Sequence, residues 1–184
     1  MVEVEHRGFG SRWRIVFWGA ACALLALPAV AMQFTREVDW SGGDFVLMGL
    51  LFAMVGGGIE LAVSRSSDRF YRAGAIVAIL ASFLTIWVNL AVGMIGSEDN
   101  SYNLLFAGVL VLAILGSALA SFRCRGMARA MAAAAAVQFL AAMMGLPADP
   151  RGGILSALFA LPWLLSAALF RTAARAPVAE GVKP

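Results

Sequence analysis

Residues 69–99 read RFYRAGAIVAILASFLTIWVNLAVGMIGSED. Arg69 and Arg72 open the stretch, residues 73–95 carry no charge, and Glu98 and Asp99 close it. About 20 residues at ~1.5 Å each cross a ~30 Å hydrocarbon core. Only a helix or a closed barrel satisfies its own backbone there, and the run lacks the alternation of a barrel strand. The stretch therefore reads as one transmembrane helix, basic at one end and acidic at the other.

Five further runs have the same make-up, at 14–32, 45–63, 103–122, 128–145 and 154–170. The composition agrees: 61% of residues are hydrophobic, 14% are charged and the mean hydropathy is +0.85. A soluble domain carries about 25% charged residues. The expected fold is an all-α integral membrane protein of six transmembrane helices, covering 14–171. A cytoplasmic tail at 1–13 precedes it, and a second at 172–184, expected to be disordered, follows it. Ala29-Val30-Ala31 has the form of a secretory cleavage site, but the apolar run before it exceeds the 7–15 residues of a signal core, so it reads as a span.

The cations orient the chain. Arg7, Arg12, Arg14, Arg65, Arg69, Arg72, Arg123, Arg125, Arg129, Arg171, Arg175 and Lys183 fall on one side, against Arg36 and Arg151 on the other. Positive residues stay inside, which predicts N-in/C-in. Short connections, recurring Arg-Ala pairs at Arg72-Ala73 and Arg129-Ala130, and methionines ending odd-numbered spans suggest three tandem helical hairpins.

Within the spans few groups can carry chemistry. Gly49, Ala53 and Gly57 recur every four residues in the second span and form a candidate packing face. Glu60 continues that face; it reads either as a functional acid or as half of an ion pair near the cytoplasmic edge. Ser82, Thr85 and Asn89 make a polar stripe on the third span that extends to Gly93 and Gly96. The stripe either lines a polar cavity or glues helices together, with Ser82 and Thr85 bonding their own helix and Asn89 bonding Gln138 of the fifth span. Glu98, Asp99 and Asn100 form an outer acidic loop that reads as a cation site or as the cap of the fourth helix, with Asn100 or Asn103 at the N-cap. The alanine-rich fifth span belongs inside the bundle, and Pro28 and Pro162 should bend the first and sixth spans.

Several classes are excluded or unsupported. The arginines form no patch with interleaved aromatics, so nucleic acid is not an expected partner. The one histidine, His6, rules out a haem held by paired histidines; no metal site or other cofactor is expected. Cys22 and Cys124 lie at different depths and should not pair. There is no phosphate loop, nucleophile elbow or H-E-x-x-H, so no catalytic residue is expected.

From Trp87 through Asn89, Gly93 and Gly96 to Asn100, the chain resembles an uncharacterised family of small multi-pass bacterial inner-membrane proteins, over about residues 44 to 142. The resemblance implies a bacterial inner membrane and transfers no function. The sequence thus leads to a non-catalytic membrane protein that binds lipid, a small apolar ligand or a membrane-protein partner, including a second copy of itself. The alternative is a small transporter or channel using the stripe on the third span.

Overall fold

The computed structural model describes residues 7–175, with side chains from Arg14 onward. Of the tail expected at 172–184, residues 172 and 173 belong to the last helix and 176–184 lie outside the described residues. Every element is helical: α1 (Arg7–Ala31), α2 (Gly42–Arg65), α3 (Arg69–Ala91), a 3-10 turn (Ser101–Asn103), α4 (Leu104–Leu119), α5 (Cys124–Gly145), α6 (Pro150–Leu158) and α7 (Ala160–Ala173). Among the described residues six helices are long and apolar enough to cross a membrane, α6 and α7 together forming the sixth. Helix α1 begins at Arg7, inside the stretch expected to be a tail.

Two units, Met1–Gly58 and Ile59–Pro184, divide the chain. In the first, α1 and α2 meet where a Cβ added to Gly56 would lie 2.7 Å from Phe17 and 2.9 Å from Trp18. Gly49 faces Leu25, whereas Ala53 and Gly57 are exposed. The close approach therefore uses Gly56, next along from the expected spacing of four. Helix α1 runs on through Pro28 without a break.

The second unit is organised around α5. Ala134, Ala142 and Gln138 of this helix are fully buried, and Met131 and Ala135 nearly so. Alanine on several sides lets α4, α6 and α7 all pack on it, while α3 packs mainly on α7. Helices α3 and α4 have little contact with each other, so the second of the expected hairpins is not a packed pair.

Close approach is set by glycines. A Cβ on Gly116 of α4 would lie 2.8 Å from the Ala130 Cβ of α5, and one on Gly74 of α3 would lie 3.2 Å from the Phe170 ring of α7. Trp163 and Phe170 fill the centre of the α7 face. The turns close by polar contacts. Asp68 accepts the Tyr71 N–H at 2.7 Å, capping α3. Arg72 reaches back to the carbonyls of Ser66 (2.6 Å) and Val63 (3.1 Å), satisfying the C-terminal end of α2. Pro162 has no N–H for the Leu158 carbonyl and its ring crowds it, so α6 stops at Leu158 and α7 restarts at Ala160.

If the Gly116–Ala130 contact sets the α4–α5 distance, Gly116→Ala forces the two helices apart and should cost about 1–3 kcal/mol. Gly108→Ala, where a Cβ meets nothing within 4 Å, should be neutral or slightly stabilising. Unfolding of both variants in mild detergent checks the contrast.

Candidate functional site

Two polar constructions stand at opposite ends of the second unit. The first is built from the segment after α3. The apolar run was expected to continue as a span to residue 95, but α3 ends at Ala91. Gly93 adopts φ +76 and its N–H closes on the Val88 carbonyl at 3.1 Å. A Cβ there would lie 2.6 Å from the Ser97 carbonyl oxygen, so the turn demands glycine. Beyond it the chain folds inward: Met94 is 4% exposed and Ile95 0%. Ile95 occupies the space that a side chain at Gly145 would need. Gly93 and Gly96 thus shape a re-entrant turn and do not extend the α3 stripe.

Peptide groups carried into an apolar interior must be bonded. Asn103 does most of this. Its Oδ1 accepts the N–H groups of Met94 (3.0 Å) and Ile95 (2.9 Å), and its Nδ2 donates to the Ser97 carbonyl at 2.7 Å. Ser156 Oγ of α6 donates to the Met94 carbonyl at 2.8 Å. Gln138 Nε2 of α5 donates to the Ser156 carbonyl at 3.0 Å, and Asn89 Nδ2 of α3 to the Asn103 carbonyl at 3.1 Å. Asp149 Oδ2 accepts the Gly96 N–H at 2.9 Å, while its Oδ1 accepts the Arg151 N–H at 3.1 Å and caps α6.

The expected site residues separate accordingly. Asn89 and Gln138 join one network but do not bond each other; each spends its amide on a backbone carbonyl. Ser82 donates to the Ala78 carbonyl of its own helix at 2.9 Å. Thr85 does not bond its own helix: its Oγ1 is buried without a protein partner, as are Asn89 Oδ1, Gln138 Oε1 and Trp163 Nε1. Glu60 is half-buried on α2, on a different helix from the stripe. Glu98 and Asp99 are exposed, and Asn100 caps the 3-10 turn by accepting the Tyr102 N–H at 3.0 Å. Asn103 caps no helix with its side chain. Among the described residues no group of three His, Cys, Asp or Glu side chains could hold a metal ion, and both cysteines are free.

The second construction lies at the arginine-rich end. A trough between the start of α5 and the end of α7 is floored by Ala128, Ala132 and Ala174 and rimmed by Arg125, Arg129, Arg171 and Arg175. A neighbouring trough between α4 and α5 is floored by Gly116, Ala120, Gly126 and Ala130, with Leu119 and Arg123 beside it. Arg125 and Arg129 belong to both. No carboxylate lines either trough. The i,i+4 pair Arg125/Arg129 repels along α5, and Arg175 follows Arg171 just beyond the end of α7. Arg125 and Arg129 also sit at the positive end of the α5 dipole, whose N-cap, Arg123, makes no side-chain cap. Placing five cations there costs stability that an anion would offset. The like-charge i,i+4 spacing was the signal available in the sequence; that α5 and α7 bring their pairs together was not.

No family model, curated protein or solved structure matches the chain.

Backbone N–H groups of Gly152 and Gly96 hold the Asp149 carboxyl below its ordinary value, with smaller contributions from the N–H and charge of Arg151. A depressed folded value means that the stabilisation is present above the unfolded carboxyl pKa of about 3.9 and is lost as pH falls through the folded value. Thermal melts should therefore show the native protein losing stability on acidification through the range below pH ~4. Asp149→Asn should start lower at neutral pH and lack that component. Parallel acid profiles for the two proteins would contradict the assignment.

Proposed function

We propose that the protein is a non-catalytic multi-pass component of the bacterial inner membrane, with both termini cytoplasmic, that binds an anionic lipid at the arginine-rich end of its helical bundle. The observation that carries this reading is the trough rimmed by Arg125, Arg129, Arg171 and Arg175, with small apolar residues for a floor and no acid among its lining. Basic pockets between helices at the cytoplasmic surface recognise anionic headgroups, each cation contributing about 1 kcal/mol. The cation split supports the orientation with this end inside.

The side-chain donors of Ser82, Asn89 and Gln138 nearer the other end are committed elsewhere, while Thr85 Oγ1, Asn89 Oδ1 and Gln138 Oε1 are buried without a protein partner. Ser82 and Asn89 donate to backbone carbonyls, and Gln138 braces the Ser156 carbonyl close to the α6–α7 break. A transport path along the α3 stripe would need those groups facing water, so the transporter reading loses its main support. Packing of α4, α6 and α7 around α5 is that of a scaffold.

Native mass spectrometry after gentle extraction tests the proposal. The protein should retain an anionic phospholipid, and the double variant Arg129→Gln/Arg171→Gln should lose it. Retention of zwitterionic lipid alone, or equal retention by the variant, would count against lipid binding at this end.

A further inference from the structure

We infer that the two arginine-lined troughs act together as a site for a lipid bearing two phosphodiesters on one short linker, a diphosphatidylglycerol-type lipid. This rests on the anionic-lipid reading above and goes beyond it by naming the lipid class.

The two troughs share a wall. Arg125 and Arg129, one turn apart on α5, form a ridge with a trough on each flank, because α5 has α4 on one side and α7 on the other. The α5–α7 trough adds Arg171 and Arg175; the α4–α5 trough adds Arg123. A headgroup with one phosphate can neutralise one flank and leaves the other with its cations facing each other. Two phosphates joined by a glycerol place one anion on each side of the ridge, where Arg125 and Arg129 can donate to both. Guanidinium groups suit this, since each presents several N–H donors in a plane and can serve two oxygens at once. The floors are alanine and glycine, so headgroups can approach the helices closely, and Leu119, 87% exposed, offers apolar surface for acyl chains beside the second trough.

Arg123 separates the classes, because it borders only the α4–α5 trough. Full-length protein in nanodiscs of phosphatidylcholine is titrated with diphosphatidylglycerol or with phosphatidylglycerol, and bound lipid is counted by native mass spectrometry. The two-phosphate lipid should bind about fivefold more tightly than the one-phosphate lipid, from the one further arginine, Arg123, that the α4–α5 trough adds. Arg123→Gln should erase that advantage while leaving phosphatidylglycerol binding unchanged, and Arg123→Lys should keep most of it. Arg129→Gln should weaken both lipids, and Arg151→Gln, at the other end of the bundle, neither. Equal affinity for the two anionic lipids, or a preference indifferent to Arg123→Gln, would overturn the two-phosphate inference and leave the anionic-lipid reading standing. Binding of both no better than phosphatidylcholine would overturn that reading as well. Helix content of each variant by circular dichroism separates lost binding from lost fold.

Discussion

The peptide groups of Met94 and Ile95 lie inside an apolar bundle, and the arrangement of the second unit follows from the need to bond them. One side chain, Asn103, accepts both N–H groups through a single oxygen while donating to the Ser97 carbonyl, which holds the re-entrant turn closed. The remaining partners come from three other helices: Ser156 on the Met94 carbonyl, Gln138 on the Ser156 carbonyl, and Asn89 on the Asn103 carbonyl. Leaving one such buried group unpaired costs about 1–3 kcal/mol. The network therefore ties α3, α4, α5 and α6 together at this end. Ile95 packs against Gly145, and the two flanking glycines, Gly93 and Gly96, turn with positive φ.

That commitment gives the two ends of the unit different characters. At the Asn103 end, most polar side chains donate to or accept from backbone, which is structural use. At the other end arginines gather, with Arg129 Nε donating to the Arg125 carbonyl at 3.4 Å. Arg72 serves the carbonyls of the α2–α3 turn and Arg65 lies over the Phe122 ring at 5.1 Å, but the troughs beside α5 gather five guanidinium groups with no acid in their lining. In the anionic-lipid reading proposed above, this small-residue floor rimmed by guanidinium groups is where the headgroup would sit.

Much of the helical content was legible in the sequence because lipid-length apolar runs bounded by charge have few alternatives. The six runs correspond to six long helices, α5 is central as its alanines imply, and Pro162 interrupts the last span. The re-entrant turn was not legible, because Val92, Met94 and Ile95 prolong the apolar run of α3 and hydropathy cannot distinguish a helix end from a chain folding back into the core. Only Gly93 marked the change, and a glycine in a span reads equally well as a packing residue. Gly96–Asp149 and Ser156–Met94 join residues 53 and 62 positions apart, beyond any local pattern. The spacing of four at Gly49, Ala53 and Gly57 likewise could not reveal that Gly56 takes the close contact with Phe17 and Trp18.

The Asn103-held turn is part of the bundle and not a surface loop. Amide hydrogen exchange of the full-length protein in nanodiscs tests this directly, read residue by residue across 92–100. The N–H groups of Met94 and Ile95 should exchange as slowly as those of mid-helix residues in α5, while Glu98 and Asp99 in the same connection exchange freely. Asn103→Ala should bring Met94 and Ile95 up to the rate of their neighbours. Fast exchange at Met94 and Ile95 in the native protein would contradict the structure's central interaction.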